Sequence, residues 1–242
     1  EAAEVHHPLL EKRPVERAAL VVLTSDKGLA GSYNANVIRR AEAILKSPEG
    51  ARTTLITIGR KGGDYFRRRN YPILRHYQEI GDPVDLPRAQ AMSREIVGFF
   101  LGREVDRIDL LGTRFISAMS RSLVLETFLP IEPPAGTAAA HNPIFEPDAA
   151  SIFGALLPRY VANRMLMAML EASASEHGAR MVAMGSASSN AVEMIDKLTL
   201  ARNRARQAAY TAVILDTQGR LHIDDELMGE LAQVKARSKP RE

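Results

Sequence analysis

The segment LTSDKGLAGSYNAN, residues 23–36, contains residue types that bind phosphate in many α/β proteins. Its glycines follow an apolar run and precede a predicted helix, which is the order found in phosphate-binding loops. A dinucleotide-binding loop, however, needs the pattern G-x-G-x-x-G and an acidic residue about 20 positions later. Only Gly28 and Gly31 are present, and no Gly-Lys-Ser/Thr of a Walker loop follows. The sequence therefore predicts a structural turn at Gly28 and Gly31 and no bound cofactor.

Other patterns of catalytic and metal-binding residues are not visible in the sequence. The chain has no Cys, and its six His are scattered apart from the adjacent pair His6–His7, whose side chains would point in different directions. No nucleophile elbow is present. The basic run at 66–69 could touch anionic lipid or nucleic acid, but a solvated helix face explains it better. The net charge of +3 is too small to indicate nucleic-acid binding.

Alternating strand and helix patterns predict an α/β domain over residues 1–143, with a mostly parallel, Rossmann-like sheet flanked by helices. The predicted strands cover 17–25, 52–59, 71–78, 105–118 and 121–133, and the predicted helices cover 35–46, 61–70 and 86–105. Asn34 or Asn36 is expected to cap the first helix. The short gap after residue 118 predicts a hairpin between the last two strands. Residues 133–143 form a predicted linker.

A second part of the chain, 144–215, is predicted to hold one long helix. No proline follows Pro158 until after Leu215, and strong helix formers dominate between them. A helix over 159–215 would be about 85 Å long. Because a domain of this size is only about 40–50 Å across, we expect the helix to project from it.

The long helix carries a repeat typical of a coiled coil. Apolar residues recur at alternating spacings of three and four, which keeps them on one seam. The seam consists of Met184, Ala187, Ala191, Met194, Leu198, Ala201, Ala205, Ala208, Ala212 and Leu215. Alanine lets a partner backbone approach closely but buries little area per residue. A single core helix of a bundle is the alternative, which the lack of a second long helix in residues 1–242 disfavours.

Two segments resemble the gamma subunit of F-type ATP synthases. They are LTSDKGLAGSYNANVIRRA at 23–41 and SEHGARMVAMGSASSNAVEMIDKLTLARNRARQAAYT at 175–211. Shorter matches occur at 5–15 and 145–161. Ala30 and Ser32 replace the Cys and Gly common in the family's loop, which leaves the turn plausible.

This resemblance implies a non-catalytic rotor whose α/β domain forms the foot of the central stalk, beside the epsilon subunit and the c-subunit ring. Its coiled coil would reach into the hexamer of alpha and beta subunits, and its rotation would couple proton flow to ATP synthesis. The implied location is peripheral, on the cytoplasmic side of the bacterial inner membrane, with membrane association only through the complex. The implied hexamer contacts are Arg180, Met184, Arg202, Arg206, Gln207 and Thr211.

Two departures from the family concern the ends of the chain. Members begin with a long helix that pairs with the C-terminal one, whereas residue 1 aligns just after that helix. The segment 216–242 does not resemble the family's ending, and it is predicted to contain a turn at 216–220 and a short helix. A fold-back of 220–236 onto the seam is the less favoured source of a partner. The alternative function is a small-ligand or nucleotide-binding α/β protein with a helical dimerisation arm.

Overall fold

The computed structural model describes residues 7–78, 83–132 and 148–207. The strands are β1 (Ala18–Leu23), β2 (Thr53–Ile58), β3 (Ile73–Tyr77), β4 (Arg107–Phe115) and β5 (Arg121–Leu129). The helices are α1 (Tyr33–Leu45), α2 (Arg60–Arg68), α3 (Leu86–Leu101) and α4 (Ala149–Gln207). Two short 3-10 helices lie at Pro8–Leu10 and Pro48–Arg52. The predicted elements of the first 143 residues are therefore present, with ends that differ by a few residues.

The strands of the described ranges form one sheet in the order β3-β2-β1-β4-β5. Strands β1 to β4 pair in parallel, and β5 runs antiparallel to β4. Strand β1 lies in the middle because all of its side chains are buried, as expected for a continuous apolar run covered on both faces. The predicted fold class, a mostly parallel sheet with flanking helices, is confirmed, and so is the hairpin between β4 and β5.

The sheet separates two apolar clusters. On one face, α3 and the first half of α4 cover the side chains of Ala19, Val21 and Leu23. On the other face, α1 and α2 cover Leu20 and Val22. The alternation of β1 between the two clusters follows from the period-two geometry of a strand.

Helix α4 begins at Ala149, within the range 144–215 in which the sequence predicted one long helix. Pro158 lies inside the helix, so the helix extends further toward the N-terminus than the proline-free stretch 159–215. The Asp148 side chain accepts hydrogen bonds from the amide and hydroxyl of Ser151 and satisfies the first turn. A stripe at helical spacing then packs on the sheet, formed by Leu157, Val161, Met165, Met169 and Ala172. This packing outweighs the cost of an interior proline.

The chain divides into two compact units at Ala183/Met184. We call residues up to Ala183 the foot unit and the described part of the second unit, Met184–Gln207, the shaft segment. The structural boundary differs from the predicted one at 143/144 because the first half of α4 supplies core side chains to the sheet. The projection of the helix from the domain stays a prediction. The predicted linker 133–143 and the predicted tail 216–242 lie outside the described residues.

Candidate functional site

The loop that joins β1 to α1, residues 24–32, contains a turn with unusual backbone angles. Gly31 has φ of +54° and Leu29 has φ of +62°, while Gly28 does not lie in this left-handed region. A left-handed conformation costs a residue with a Cβ roughly 1–2 kcal/mol. The turn that the sequence placed at Gly28 and Gly31 is thus made by Leu29 and Gly31, and the strain at Leu29 requires support from neighbouring contacts.

Hydrogen bonds within the foot unit hold this loop closed. The Ser25 amide donates to Asn34 Oδ1 over 3.0 Å, and the Ser25 hydroxyl donates to the Lys27 carbonyl over 2.6 Å. The side chain of Asn34 therefore closes the loop instead of capping α1. The residue before α1 is Ser32, and it makes no side-chain capping bond. The prediction that Asn34 or Asn36 caps this helix was wrong.

The loop also contacts α4 near the end of the foot unit. Arg180 Nε and Nη2 both donate to the Gly28 carbonyl over 3.3 Å, and the same guanidinium pairs with Glu176 one turn earlier. Next to this bond, Ala30, Tyr33 and Ala179 form a small buried cluster. Burial raises the pKa of Tyr33 to about 12, so its hydroxyl stays protonated at neutral pH.

The turn between β4 and β5 contacts the same stretch of α4, at Ser175 and Gly178. A Cβ added at Gly178 would lie 3.1 Å from the carbonyl oxygen of Ala118 and 3.2 Å from its Cα, so only glycine permits this approach without a shift. Arg121 Nη1 lies 3.5 Å from the Ser175 carbonyl. We call two segments together the collar, because both contact residues 175–183 of α4: residues 24–33, which are the loop between β1 and α1 and the first residue of α1, and residues 115–121, at the turn between β4 and β5.

A cleft of about 350 Å³ lies between the loop and the foot part of α4. Its charged lining residues carry both signs, with Lys27, Arg88 and Arg180 beside Asp26 and Glu176. Arg180 and Glu176 neutralise one another. The cations of this lining are thus interspersed with carboxylates, whereas a phosphate site gathers positive charge around the anion.

The described residues contain no candidate metal site: no group of three His, Asp or Glu side chains among them is arranged to hold a metal ion. No described helix is long and apolar enough to cross a membrane. The basic run at 66–69 forms the end of α2, where Phe66 is buried and the three arginines are exposed.

The predicted seam falls on a largely exposed helix surface. Met184 and Met194 are 47% and 49% exposed, Leu198 is partly buried, and Ala201 and Ala205 are buried. The shaft segment also exposes Val192, Ile195 and Leu200, which the seam prediction missed although Val192 and Ile195 have helical spacing. Ala208, Ala212 and Leu215 lie outside the described residues.

The implied hexamer contacts are separated by the unit boundary. Met184, Arg202, Arg206 and Gln207 are exposed on the shaft segment, whereas Arg180 belongs to the foot unit and bonds to its own chain. Thr211 lies outside the described residues. All of these contacts stay predictions.

Comparison with known proteins identifies the family. A family model described as ATP synthase matches residues 1–219. The chain is 45% identical over 209 residues to the ATP synthase gamma chain of Moorella thermoacetica, with 86% of this chain and 74% of the relative covered. It is also 41% identical over 239 residues to the gamma chain of a Synechococcus species, covering 86% and 76%. The chain belongs to the ATP synthase gamma-chain family.

Solved central stalks have the same fold as this member of the gamma family. The central stalk of the Tetrahymena thermophila mitochondrial ATP synthase matches with a TM-score of 0.59 at 25% identity, covering 74% of this chain and 79% of that one. The rotor of the Euglena gracilis mitochondrial enzyme matches with a TM-score of 0.62 at 16% identity, covering 84% and 81%. The resemblance inferred from the sequence is confirmed. The chain is a central-stalk subunit of an F-type ATP synthase, a membrane-associated complex, and is not itself catalytic.

Proposed function

We propose that this chain is the rotor of a bacterial F-type ATP synthase and couples proton flow to ATP synthesis by turning inside the hexamer of alpha and beta subunits. One observation carries the proposal beyond family membership. A single helix, α4, supplies core side chains to the foot unit and continues without a break into the shaft segment. Residues on both sides of the unit boundary thus belong to one helix, in which each residue adds a backbone hydrogen bond.

The foot unit provides the base of this rotor. Its proposed partners are the epsilon subunit and the ring of c subunits, and its proposed location is the cytoplasmic side of the inner membrane. Its sheet is covered on both faces, and α4 is tied to β5 by Arg164, whose Nη2 donates to the Thr127 carbonyl over 3.0 Å. A body fixed in this way can receive torque without deforming.

The shaft segment provides the surface for packing. Met184, Val192, Met194, Ile195 and Leu200 are each about half exposed or more. Burying such a side chain stabilises a contact by roughly 1.5–3 kcal/mol. Because these side chains are spread around the helix, we assign Met184 and Met194, which belong to the seam, to a second helix, and the others to the inner wall of the hexamer.

The cationic end of the shaft segment is assigned to the catalytic subunits. Arg202, Arg206 and Gln207 are exposed there. A guanidinium holds a carboxylate with two parallel hydrogen bonds, which suits a contact that must bear load. Losing one such bond costs roughly 1.5–3 kcal/mol.

Reconstitution with the alpha and beta subunits of the same organism tests this function. We expect the three subunits to copurify as a complex in which ATP drives rotation of a marker on the foot unit. The double variant Arg206→Ala/Gln207→Ala should assemble and show reduced coupled ATPase activity, while Arg159→Ala, an exposed arginine on the foot part of α4, should match the wild type. A complex that hydrolyses ATP without turning the foot unit contradicts the proposal.

The small-ligand alternative has a separate test. Calorimetric titration of the isolated chain with ATP and ADP should give no heat of binding, because the cleft lining is of mixed charge. Saturable binding that is lost in Lys27→Ala would favour the alternative.

A further inference from the structure

We propose that Arg180 and Gly178 are positioning residues that lock the foot part of α4 to the rest of the foot unit against rotation about the helix axis. The inference deepens the proposed function and rests on it, because only a rotor must carry torque through this point. It concerns the collar, whose segments 24–33 and 115–121 both contact the helix just before the shaft segment begins.

The two contacts lie on nearly opposite faces of the helix. At about 100° per residue, Gly178 and Arg180 point about 200° apart around the axis. Ala179, which is buried with Ala30 and Tyr33, lies between them and fills the intervening face. A helix that is held on one face can roll, whereas a helix held on two faces must break one contact to turn. The collar therefore resists rotation in both directions.

Arg180 supplies a directional bond. Its Nε and Nη2 both lie 3.3 Å from the Gly28 carbonyl, and its guanidinium is also paired with Glu176. Hydrogen bonds from a charged donor are stronger than neutral ones. Because Glu176 lies one turn away on the same helix, the pair holds the guanidinium in the orientation that reaches the loop.

The Gly28 carbonyl is a firm acceptor because the loop around it is itself anchored. Asn34 at the start of α1 bonds to Ser25, and Asp26 accepts a hydrogen bond from the Arg60 amide at the start of α2. A force on Gly28 is therefore passed to two helices on the far face of the sheet.

Gly178 supplies a steric stop. The backbone of Ala118 lies where a side chain would begin, and a ring carbon of Phe115 lies 3.4 Å from the same point. Rolling the helix would drive the neighbouring side chains into this turn. Gly154, in the same helix and the same unit, has no atom within 4 Å of an added Cβ and is the matched control.

This role for Arg180 differs from the hexamer contact implied by resemblance, and the two are separable. A hexamer contact would change the behaviour of the assembled complex and leave the isolated chain unaffected. A positioning role changes the loop in the isolated chain as well, because the acceptor belongs to the same chain.

Hydrogen exchange of the isolated chain is the first test. In Arg180→Gln, we expect the amides of Ser25 and Tyr33 to exchange about ten- to a hundredfold faster, the range that corresponds to losing a hydrogen bond from a charged donor. Arg180→Lys keeps the charge with fewer donors in place and should give a smaller increase. Arg159→Gln should show wild-type exchange. Unchanged exchange at both amides in Arg180→Gln overturns the inference.

Single-molecule rotation of the assembled complex is the second test. The readout is the angular variance of a marker on the foot unit while the enzyme waits for ATP. We expect about a twofold increase in Arg180→Gln and in Gly178→Ala, with no change in Arg159→Gln and Gly154→Ala; the factor is an order-of-magnitude expectation for losing one of two opposed contacts. Unchanged variance in both collar variants overturns the inference.

The two tests separate failure of the inference from failure of the proposed function. A wild-type complex that does not assemble or rotate refutes the rotor function, while the exchange experiment still decides whether Arg180 holds the loop. Reduced ATPase activity in Arg180→Gln with unchanged exchange and unchanged variance would assign Arg180 to the hexamer contact and overturn the positioning role.

Discussion

The backbone amide of Arg60, the first residue of α2, donates a hydrogen bond to Asp26 Oδ1 over 2.8 Å. A helix N-terminus of this kind, following a parallel strand, is where α/β proteins bind phosphate. Here a carboxylate of the chain occupies that position. The loop after β1 therefore supplies an anion to this helix N-terminus from its own side chain.

Replacing Asp26 should lower the free energy of unfolding of the chain and leave its ligand binding unchanged. Asp26→Ala leaves the Arg60 amide without its acceptor, and losing a capping bond costs about 0.5–2 kcal/mol. Urea unfolding of the isolated chain measures this change. Asp196→Ala, an exposed aspartate on the shaft segment, is the control and should fall within about 0.5 kcal/mol of wild type. ATP binding that disappears in Asp26→Ala would contradict the structural role.

A second prediction concerns Gly63 in α2, whose Cα faces the imidazole of His76. A Cβ at this position would collide with the ring. Gly63→Ala should therefore destabilise the chain by about 1–3 kcal/mol, as overpacking does elsewhere. Gly98→Ala in α3 is the matched control, because nothing lies within 4 Å of its added Cβ. That variant should be neutral or gain up to about 1 kcal/mol from helix propensity. Equal effects of the two variants on thermal unfolding would refute the packing argument.

The same histidine predicts a pH dependence of stability. Burial lowers the pKa of His76, with Arg67 acting in the same direction. The unfolded chain therefore binds a proton more readily than the folded chain below about pH 6.5, the ordinary pKa of histidine. The free energy of unfolding should fall as the pH drops from 7.5 to 5.5. His76→Gln should flatten this part of the profile; if the slope in urea unfolding is the same in both proteins, His76 is not its source.

The shaft segment provides a fourth prediction. A single amphipathic helix owes most of its stability to packing, so the exposed part of the seam, from Met184 to Met194, should exchange its amides readily in a verified monomer. A peptide with the sequence of the family's N-terminal helix should dock antiparallel along the seam and slow exchange at residues 191–207. The amides of β1 serve as the internal reference, because that strand is buried on both faces. Protection at 191–207 equal to that of β1 without the peptide would show that the seam already has a partner.

Sequence patterns were sufficient for the elements whose signals are local. The apolar run of β1 and the alternation of strands and helices predicted the sheet, because a buried parallel strand must be apolar on both faces. The seam that the spacing of three and four predicts along the shaft stays a prediction. The family motifs at 23–41 and 175–211 predicted the function, which the relatives confirm.

Structural features that depend on contacts between residues distant in the sequence could not be predicted from local patterns. Proline disfavours a helix interior, yet the stripe from Leu157 to Ala172 packs on the sheet and keeps Pro158 inside α4. Asn34 has the residue type of a cap, but its side chain bonds to Ser25 across the loop. In both cases tertiary contacts outweighed a local preference worth only a few kcal/mol.

The sequence by itself determined the family, the fold class and the existence of a long amphipathic helix, since each rests on residue types at short, regular spacing. Only the tertiary structure decided what the glycine loop and Arg180 do. Gly28 and Arg180 are far apart in the chain, and their bond exists because α4 passes the carboxyl edge of the sheet where the loop emerges. A hydrogen bond to a backbone carbonyl carries no residue signature on the acceptor side, so no pattern in the sequence could have shown it.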